Sequence, residues 1–521
     1  MRRFISLSIV LVFALAPVAR AQERVDHQVI ARIKTEAFQN SKVMETLFYM
    51  TDVHGPRLTG SPQLKAASEW ARGRLAGWGL ADARLEPWGT FGRGWSIKRY
   101  SVEMTAPQYM NVTAMPKAFT PGTNGPVSGT PVIVEIRTKP DLDKYRGKLR
   151  GKIVMNGRPT NNNVRFEPYA KRMTDDELKK SAETMNPGEP KSFLDEDKQW
   201  QESLKWQDEV NKFYHDEQIA VLLQPSPQSS GVINITAQSY TPNDPMQTFP
   251  AVVLAREHYG RIMRLVEKNI PVTLSVNVET QFHTEDQTGY NVLADLPGTD
   301  PRLKDELVML GGHYDSWHAA TGATDNAAGC AVMLEAMRIL KTLGVRPRRT
   351  IRVALWTGEE QDYYGSISYV KKHFGDPQTL KLLPGHEKLS AYFNLDNGAG
   401  KIRGVNLQGN EAVRPIFDAY LQPFHYLGAT TLTTANTGGT DHMAFEALGL
   451  PGFQFIQDPL EYNTRTHHTN LDFYEAVVED DLKQAAAVIA SFVYHTAMRD
   501  ERLPREALPK LPPPDTKASG Q

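Results

Sequence analysis

The chain has 521 residues, a formal net charge of -1 and 23% charged residues. That balance excludes a large single-sign field, and with it nucleic acid or an anionic membrane surface as the partner such a field would attract. At roughly 150 residues per domain the length allows two or three domains, and the single cysteine, Cys330, rules out an internal disulfide.

Residues 1–21 read as a signal peptide. Arg2 and Arg3 precede an apolar run from Phe4 to Ala16, Pro17 breaks it, and Ala19-Arg20-Ala21 supplies a small-x-small cleavage pattern. The run is far short of the roughly 20 residues a spanning helix needs. Export to the periplasm or the medium is therefore expected, with no membrane anchor.

Residues 29–51 and 63–78 carry apolar side chains at helical spacing, among them Val43, Leu47 and Met50 in the first and Ala66, Trp70, Leu75 and Trp78 in the second. HGPRLTGSP joins them as a turn-rich connection, which puts His54 and Arg57 on a surface loop. Residues 22–117 are read as the N-terminal part of the main domain. From 118 to 285, short apolar runs (130–136, 152–155, 219–223, 251–254, 272–278) alternate with Gly, Pro and Asn turns, the pattern of an inserted β-rich module rather than of βαβ repeats. Residues 175–214 within it are highly charged and read as a solvated helical excursion.

From 286 to 500 strands and helices alternate. Strands are expected at 291–296, 307–310, 350–356, 391–395, 404–408 and 452–456, and helices at 326–342, 366–373, from Glu411, and at 479–498. This is the signature of a mainly parallel sheet in an α/β fold with helices on both faces. Cys330 falls in the helical apolar set with Met333, Leu334, Met337 and Leu340, so it is expected to pack rather than react. Residues 501–521, rich in Pro and Lys, read as a flexible tail.

In an open parallel sheet ligands bind beyond the carboxyl ends of the strands. His313 and Asp315 follow the first parallel strand, Glu359 and Glu360 the second, Asp396 the third, Asp325 opens the helix after the first, and His467 and His468 come late in THHTNLD. Imidazole and carboxylate are ordinary zinc ligands. Three carboxylates (Asp325, Glu360, Asp396) and one hydroxide balance two zinc ions, whereas one zinc would leave an excess of negative charge. Adjacent residues in extended chain point oppositely, so of Glu359 and Glu360 one can bind metal while the other, Glu359, faces the attacking water as general base. Asp315 is expected to hold the His313 imidazole through its other ring nitrogen.

The spaced set GGHYDSW, GATDNAAG, LWTGEEQ, NLD and HHTNLD resembles the M28 family of dinuclear zinc exopeptidases, and within it the carboxypeptidase Q branch of secreted dipeptidases. The resemblance implies two zinc ions held by His313, Asp325, Glu360, Asp396 and His468, with Asp325 bridging and Glu359 as base. It also implies that the insertion is like a protease-associated domain, and that the activity is aminopeptidase or dipeptidase hydrolysis of peptides. A homodimer is compatible with this. Some relatives have Tyr just before the last ligand where this chain has His467, which leaves the oxyanion donor open between His467 and Tyr462. Trp317, His318, Asp441 and His442 either shape the pocket or pack around it. A glutamate-carboxypeptidase-like enzyme, a mono-zinc glutaminyl cyclase and a non-catalytic binding member of the fold are the competing readings.

Overall fold

The computed structural model describes residues 23–159, 165–188, 193–238 and 249–509, so the signal peptide expected over 1–21 lies outside the described residues. Eight strands form the main sheet in the order Ala81–Thr90, Thr288–Leu296, Thr350–Trp356, Leu307–His313, Leu389–Asn394, Gly452–Gln457, Ile402–Asn406 and Thr431–Thr433. The four central strands, from Thr350–Trp356 to Gly452–Gln457, are mutually parallel, and antiparallel strands flank them. Mainly parallel order with helices on both faces is what the alternation in the sequence predicts.

The alternation of side chains along each strand builds the two covered faces. Val308, Leu310, Ile351, Val353, Ala391 and Phe393 join Ala328–Thr342 and Glu479–Met498 in the larger core. Met309, Ala354, Trp356 and Tyr392 face Tyr369, Val370 and Phe445 on the opposite side. Cys330 is buried in the larger core, and burial pushes its thiol up to about 12, so it packs as expected.

Two long strands went unread in the sequence. Ala81–Thr90 pairs antiparallel with Thr288–Leu296, and Gly94–Ala106 pairs antiparallel with Thr273–His283. Together they make a ribbon through which the chain leaves and re-enters the main sheet. Beyond the ribbon, Ala114–Pro116, Ala251–Leu254, Val221–Pro225, Ile153–Asn156 and Val132–Val134 form a separate five-stranded sheet, so the inserted sheet reaches further toward the N-terminus than residue 118. All its pairs but the first are parallel. Lys139–Tyr145 and Phe193–Asp216 cross between its strands, so the insertion contains the βαβ connections that its turn-rich sequence disguises.

Two further expectations are corrected. The tail is packed through Arg505: Leu503 is buried, Arg505 donates to the His386 and Leu389 carbonyls, and Asn410 Nδ2 donates to the Pro504 carbonyl. The loop HGPRLTGSP is not a surface feature either. Arg57 is fully buried and donates to the carbonyls of Met50, Tyr314, Thr321 and Gly322, while its own N–H donates to Ser316 Oγ. A guanidinium satisfies several fixed carbonyls at once, so Arg57 sets the path of the loop that follows Leu307–His313.

Arg57→Met keeps the aliphatic stem and strands those carbonyls. The expected loss is on the order of 3–5 kcal/mol, since each buried group left unpaired costs about 1–3 kcal/mol. Urea unfolding measures it, and a loss under ~1 kcal/mol would contradict this role for Arg57.

Candidate metal centre

The parallel strands end at one rim. His313 closes its own strand, Asp396 lies just past Leu389–Asn394, Glu359 and Glu360 follow Thr350–Trp356, and His468 is on the loop after Gly452–Gln457. Asp325 sits in the irregular turn that opens Ala328–Thr342, and the Asp325–Asn326 peptide is cis. His313 Nε2 lies 3.2 Å from Asp325 Oδ1 and 3.2 Å from Asp396 Oδ1. His468 Nε2 lies 3.3 Å from Asp325 Oδ2 and 2.9 Å from Glu360 Oε2. Asp325 therefore presents one carboxylate oxygen to each of two imidazoles.

His467 stands at the margin. Its ring centroid is 3.9 Å from that of His468 and 4.8 Å from that of Tyr462, its Nε2 is 3.9 Å from Asp325 Oδ2, and its side chain is 45% exposed against 26% for His468. Tyr462 is buried. Burial and the nearby Asp325, Asp396 and Glu360 charges push its phenol well above the usual tyrosine range, which keeps its hydroxyl protonated.

Electrostatics at the rim are dominated by carboxyl groups. Burial, then the charges of Asp396, Asp441 and Glu360, push Glu359 well above the usual carboxylate range, and burial followed by the Asp325 charge does the same to Glu360. Burial pushes Asp441 up to about 8 and, with Asp325 beside it, Asp472 up to about 7. Burial opposes charging of His313, but the Asp396 and Glu359 charges hold it well above the usual histidine range. The protein's own side chains leave surplus negative charge here, and a multivalent cation relieves it. The donor set fits one: two triads, His313–Asp325–Asp396 and Asp325–His467–His468, each bring their ligand atoms within 4.8 Å of one another. Asp325 Oδ2 and Glu360 Oε1 are buried with no hydrogen-bond donor, as oxygens facing a cation would be.

The scaffold around this rim differs from what the sequence predicts. His313 Nδ1 meets the backbone carbonyl of Asp315 at 3.1 Å, while the Asp315 carboxylate is 3.9 Å away. That carboxylate instead accepts from Thr59 Oγ1 at 2.8 Å and from the backbone N–H groups of Glu359 and Glu360, so it positions the glutamate turn rather than the imidazole. The two glutamates also lie beyond the strand, in a turn entered through Gly358 at φ +80°, and the extended-chain argument for their divergence does not apply. Glu360 reaches His468 Nε2 at 2.9 Å and Asp325 is the first charge acting on it, whereas His313 is the first charge acting on Glu359.

Asp472 ends the HHTNLD motif, and its type and spacing do not reveal its role. It is buried, accepts from the N–H and hydroxyl of Thr324 at 2.7 Å each, and accepts from Asp325 N–H at 3.1 Å, fastening the backbone of Asp325 from behind. Asn326 Nδ2 donates to the Leu395 carbonyl and Gln454 Nε2 to the Asp396 carbonyl, which ties the two neighbouring strand ends together. A Cβ on Gly329 would fall 2.3 Å from both Asn326 Oδ1 and the Leu395 carbonyl, so only glycine allows this approach.

Residues 291–493 match the model of peptidase family M28. Carboxypeptidase Q of Homo sapiens is 24% identical over 461 residues, covering 88% of this chain and 86% of the relative. A peptidase M28 precursor from Shewanella amazonensis superposes with a TM-score of 0.66 at 23% identity, covering 93% of this chain and 98% of that one. A zinc aminopeptidase from Bacillus subtilis does so with a TM-score of 0.57 at 17% identity, covering 88% and 95%. The sheet with its carboxylate-rich rim is thus the fold of these peptidases. Through residues 291–493 the chain is similar to peptidase family M28, and it is a metallo-peptidase.

Proposed function

We propose that the protein is an exported zinc exopeptidase, acting as an aminopeptidase or dipeptidase on peptides with a free terminus. His313, Asp325, Glu360, Asp396 and His468 would hold two zinc ions, with Asp325 shared between them. The observation that carries this reading is Asp325 itself, whose two oxygens each face a different imidazole, at 3.2 and 3.3 Å, inside a surplus of buried carboxyls. Zinc, when bound, supplies Lewis acidity that polarises the scissile carbonyl and acidifies water.

Glu359 is the general base. It takes the proton of the water that adds to the carbonyl carbon and passes it to the departing nitrogen as the C–N bond breaks, so one carboxyl serves both halves of the reaction. Its protonation in the metal-free protein reflects the same crowding of charge that bound cations would relieve. Asp315 holds the backbone of Glu359 and Glu360, and the protonated Tyr462 hydroxyl is the donor best suited to the developing oxyanion. Export rests on the Arg2-Arg3 and apolar run of residues 1–21, and no helix among the described residues is long and apolar enough to cross a membrane.

Recognition of a free carboxyl end is a second reading, favoured by Lys117. It is 9% exposed, has no ion-pair partner among the described residues, and burial alone pushes its ammonium down to about 8. The preceding Pro116 carbonyl accepts from His318 Nε2 at 2.8 Å, and the adjoining Trp317 ring lies 6.0 Å from His468. A buried cation with no anion among the described residues, next in sequence to the carbonyl that His318 holds, is chemistry suited to a substrate carboxylate.

Glu359→Ala should keep its zinc and lose about 10²–10⁴-fold in kcat on dipeptides; unchanged turnover at full zinc content would remove Glu359 from the role. Dialysis against a chelator should abolish hydrolysis, with zinc readdition restoring it, and activity that survives metal removal would refute the zinc reading. Lys117→Met should raise KM about 10–100-fold for peptides with a free carboxyl end, the worth of one charge-assisted hydrogen bond, and leave C-amidated peptides unaffected. Equal effects on both substrate sets would dismiss the second reading.

A further inference from the structure

The loop that carries His467 and His468 is stitched at both ends to the insertion. At its start, Lys171 and Leu460 exchange backbone hydrogen bonds of 3.0 and 2.9 Å. Next to them, Arg172 pairs with buried Asp458 at 2.8 Å and with Asp481 at 2.8 Å, and Met173 N–H donates to Asp458 Oδ1. At its end, the segment Gly231–Ile235 runs antiparallel to His467–Asn470. Ile235 N–H donates to the His468 carbonyl at 2.8 Å, and Asn470 N–H donates to the Ile233 carbonyl at 3.1 Å. Asn470 Oδ1 accepts from Ile233 N–H at 2.7 Å, its Nδ2 donates to the Gly231 carbonyl at 3.3 Å, and Asn234 Nδ2 donates to the His467 carbonyl at 3.4 Å.

These bonds bear on a backbone that would not choose its own conformation. His468 has φ +57°, a left-handed geometry that a non-glycine residue keeps only when its surroundings over-determine it. Within the loop, the Thr469 hydroxyl donates to the Arg465 carbonyl, and Asp472 is committed to Thr324 and Asp325; neither bond reaches the His468 peptide groups. The hydrogen bond to the His468 carbonyl comes from the insertion. Ile233 and Ile235, which flank Asn234, are buried in an apolar cluster with Phe91, Trp95 and Trp317, so the segment that holds the loop is itself fixed.

We propose that the inserted module is the positioning element for His468, acting through Asn470 and the Ile235 N–H, so that the metal position shared by Asp325, Glu360 and His468 forms only while the module is docked. This rests on the zinc reading above and extends it: the insertion would be part of the metal site rather than an appendage to it. Asn470 touches no ligand atom, and its role is to hold the backbone from which His468 projects.

The test uses the full-length protein, comparing wild type with Asn470→Ala, Asn470→Asp and Asn234→Ala. Zinc content is measured after dialysis against graded chelator, and the visible absorption of the cobalt-substituted protein reports ligand geometry at each ion. Asn470→Ala should weaken one of the two ions about 10–100-fold, the usual effect of losing an outer partner of a ligand, with the other ion kept and the cobalt bands altered. Asn470→Asp retains the acceptor for Ile233 N–H and should recover part of the loss, and it serves in place of the alanine variant should that one fail to fold. Asn234→Ala should shift the same ion in the same direction by less. Wild-type zinc affinity and unaltered cobalt bands in Asn470→Ala would overturn the proposal while leaving the zinc reading intact; a wild type that takes up no zinc would overturn the zinc reading and the proposal with it.

Discussion

The structure is governed by the cost of gathering carboxyl groups where four parallel strands end. Two like charges ~4 Å apart at an effective dielectric near 20 repel by about 4 kcal/mol, and Asp325, Glu359, Glu360 and Asp396 are crowded further by buried Asp315, Asp441 and Asp472. Such a cluster persists because its backbone is held from outside. Arg57 holds the loop after His313, Thr59 and Asp315 hold the glutamate turn, Asp472 holds Asp325, and Gln454 holds Asp396. Each of these contacts ends on main chain or on a carboxylate that itself grips main chain. Two carboxylate oxygens of the rim, Asp325 Oδ2 and Glu360 Oε1, are thereby left without a hydrogen-bond donor.

The sequence made the ligand-type residues legible and hid their supports, for one physical reason. His313, Glu360 and Asp396 can be read because apolar runs mark the parallel strands and the fold places their ends together; Asp325 is read from its place at the start of the following helix, and His468 over His467 only from the family resemblance. Arg57 and Asp472 act through backbone groups far away in the chain, such as the Gly322 carbonyl and the Asp325 N–H, and no residue-type pattern encodes such a partner. Asp315 was legible as important and misread in detail, because the His313 ring takes the Asp315 carbonyl instead of its carboxylate.

Secondary structure divided in the same way. Thr350–Trp356 and Glu479–Met498 were readable to the residue, since period and composition agree there. Ala81–Thr90 was not read: Pro87 and Gly89 interrupt it, its pairing with Thr288–Leu296 shifts register twice, and along it only Glu86 is buried. The insertion's parallel pairs were hidden because four of its five strands have only three or four residues, and the helix crossing to Val221–Pro225 is charged enough to look like a solvated excursion. The packing of Leu503 and Arg505 is likewise invisible in a Pro-rich sequence, since it rests on two side chains and a few carbonyls.

The paired ribbon bears on how the molecule assembles. Ala81 pairs with Asp295 and Gly94 with His283, so the edge of the main sheet is closed only across the whole inserted stretch. Closing a flexible loop costs an entropy that grows only as the logarithm of its length, and an insertion that folds first shortens the effective loop to the width of its own neck. The central strands from Thr350–Trp356 to Gly452–Gln457 lie closer together along the chain and need no such step. Loop-closure entropy thus favours completing the edge pair once the insertion has taken shape.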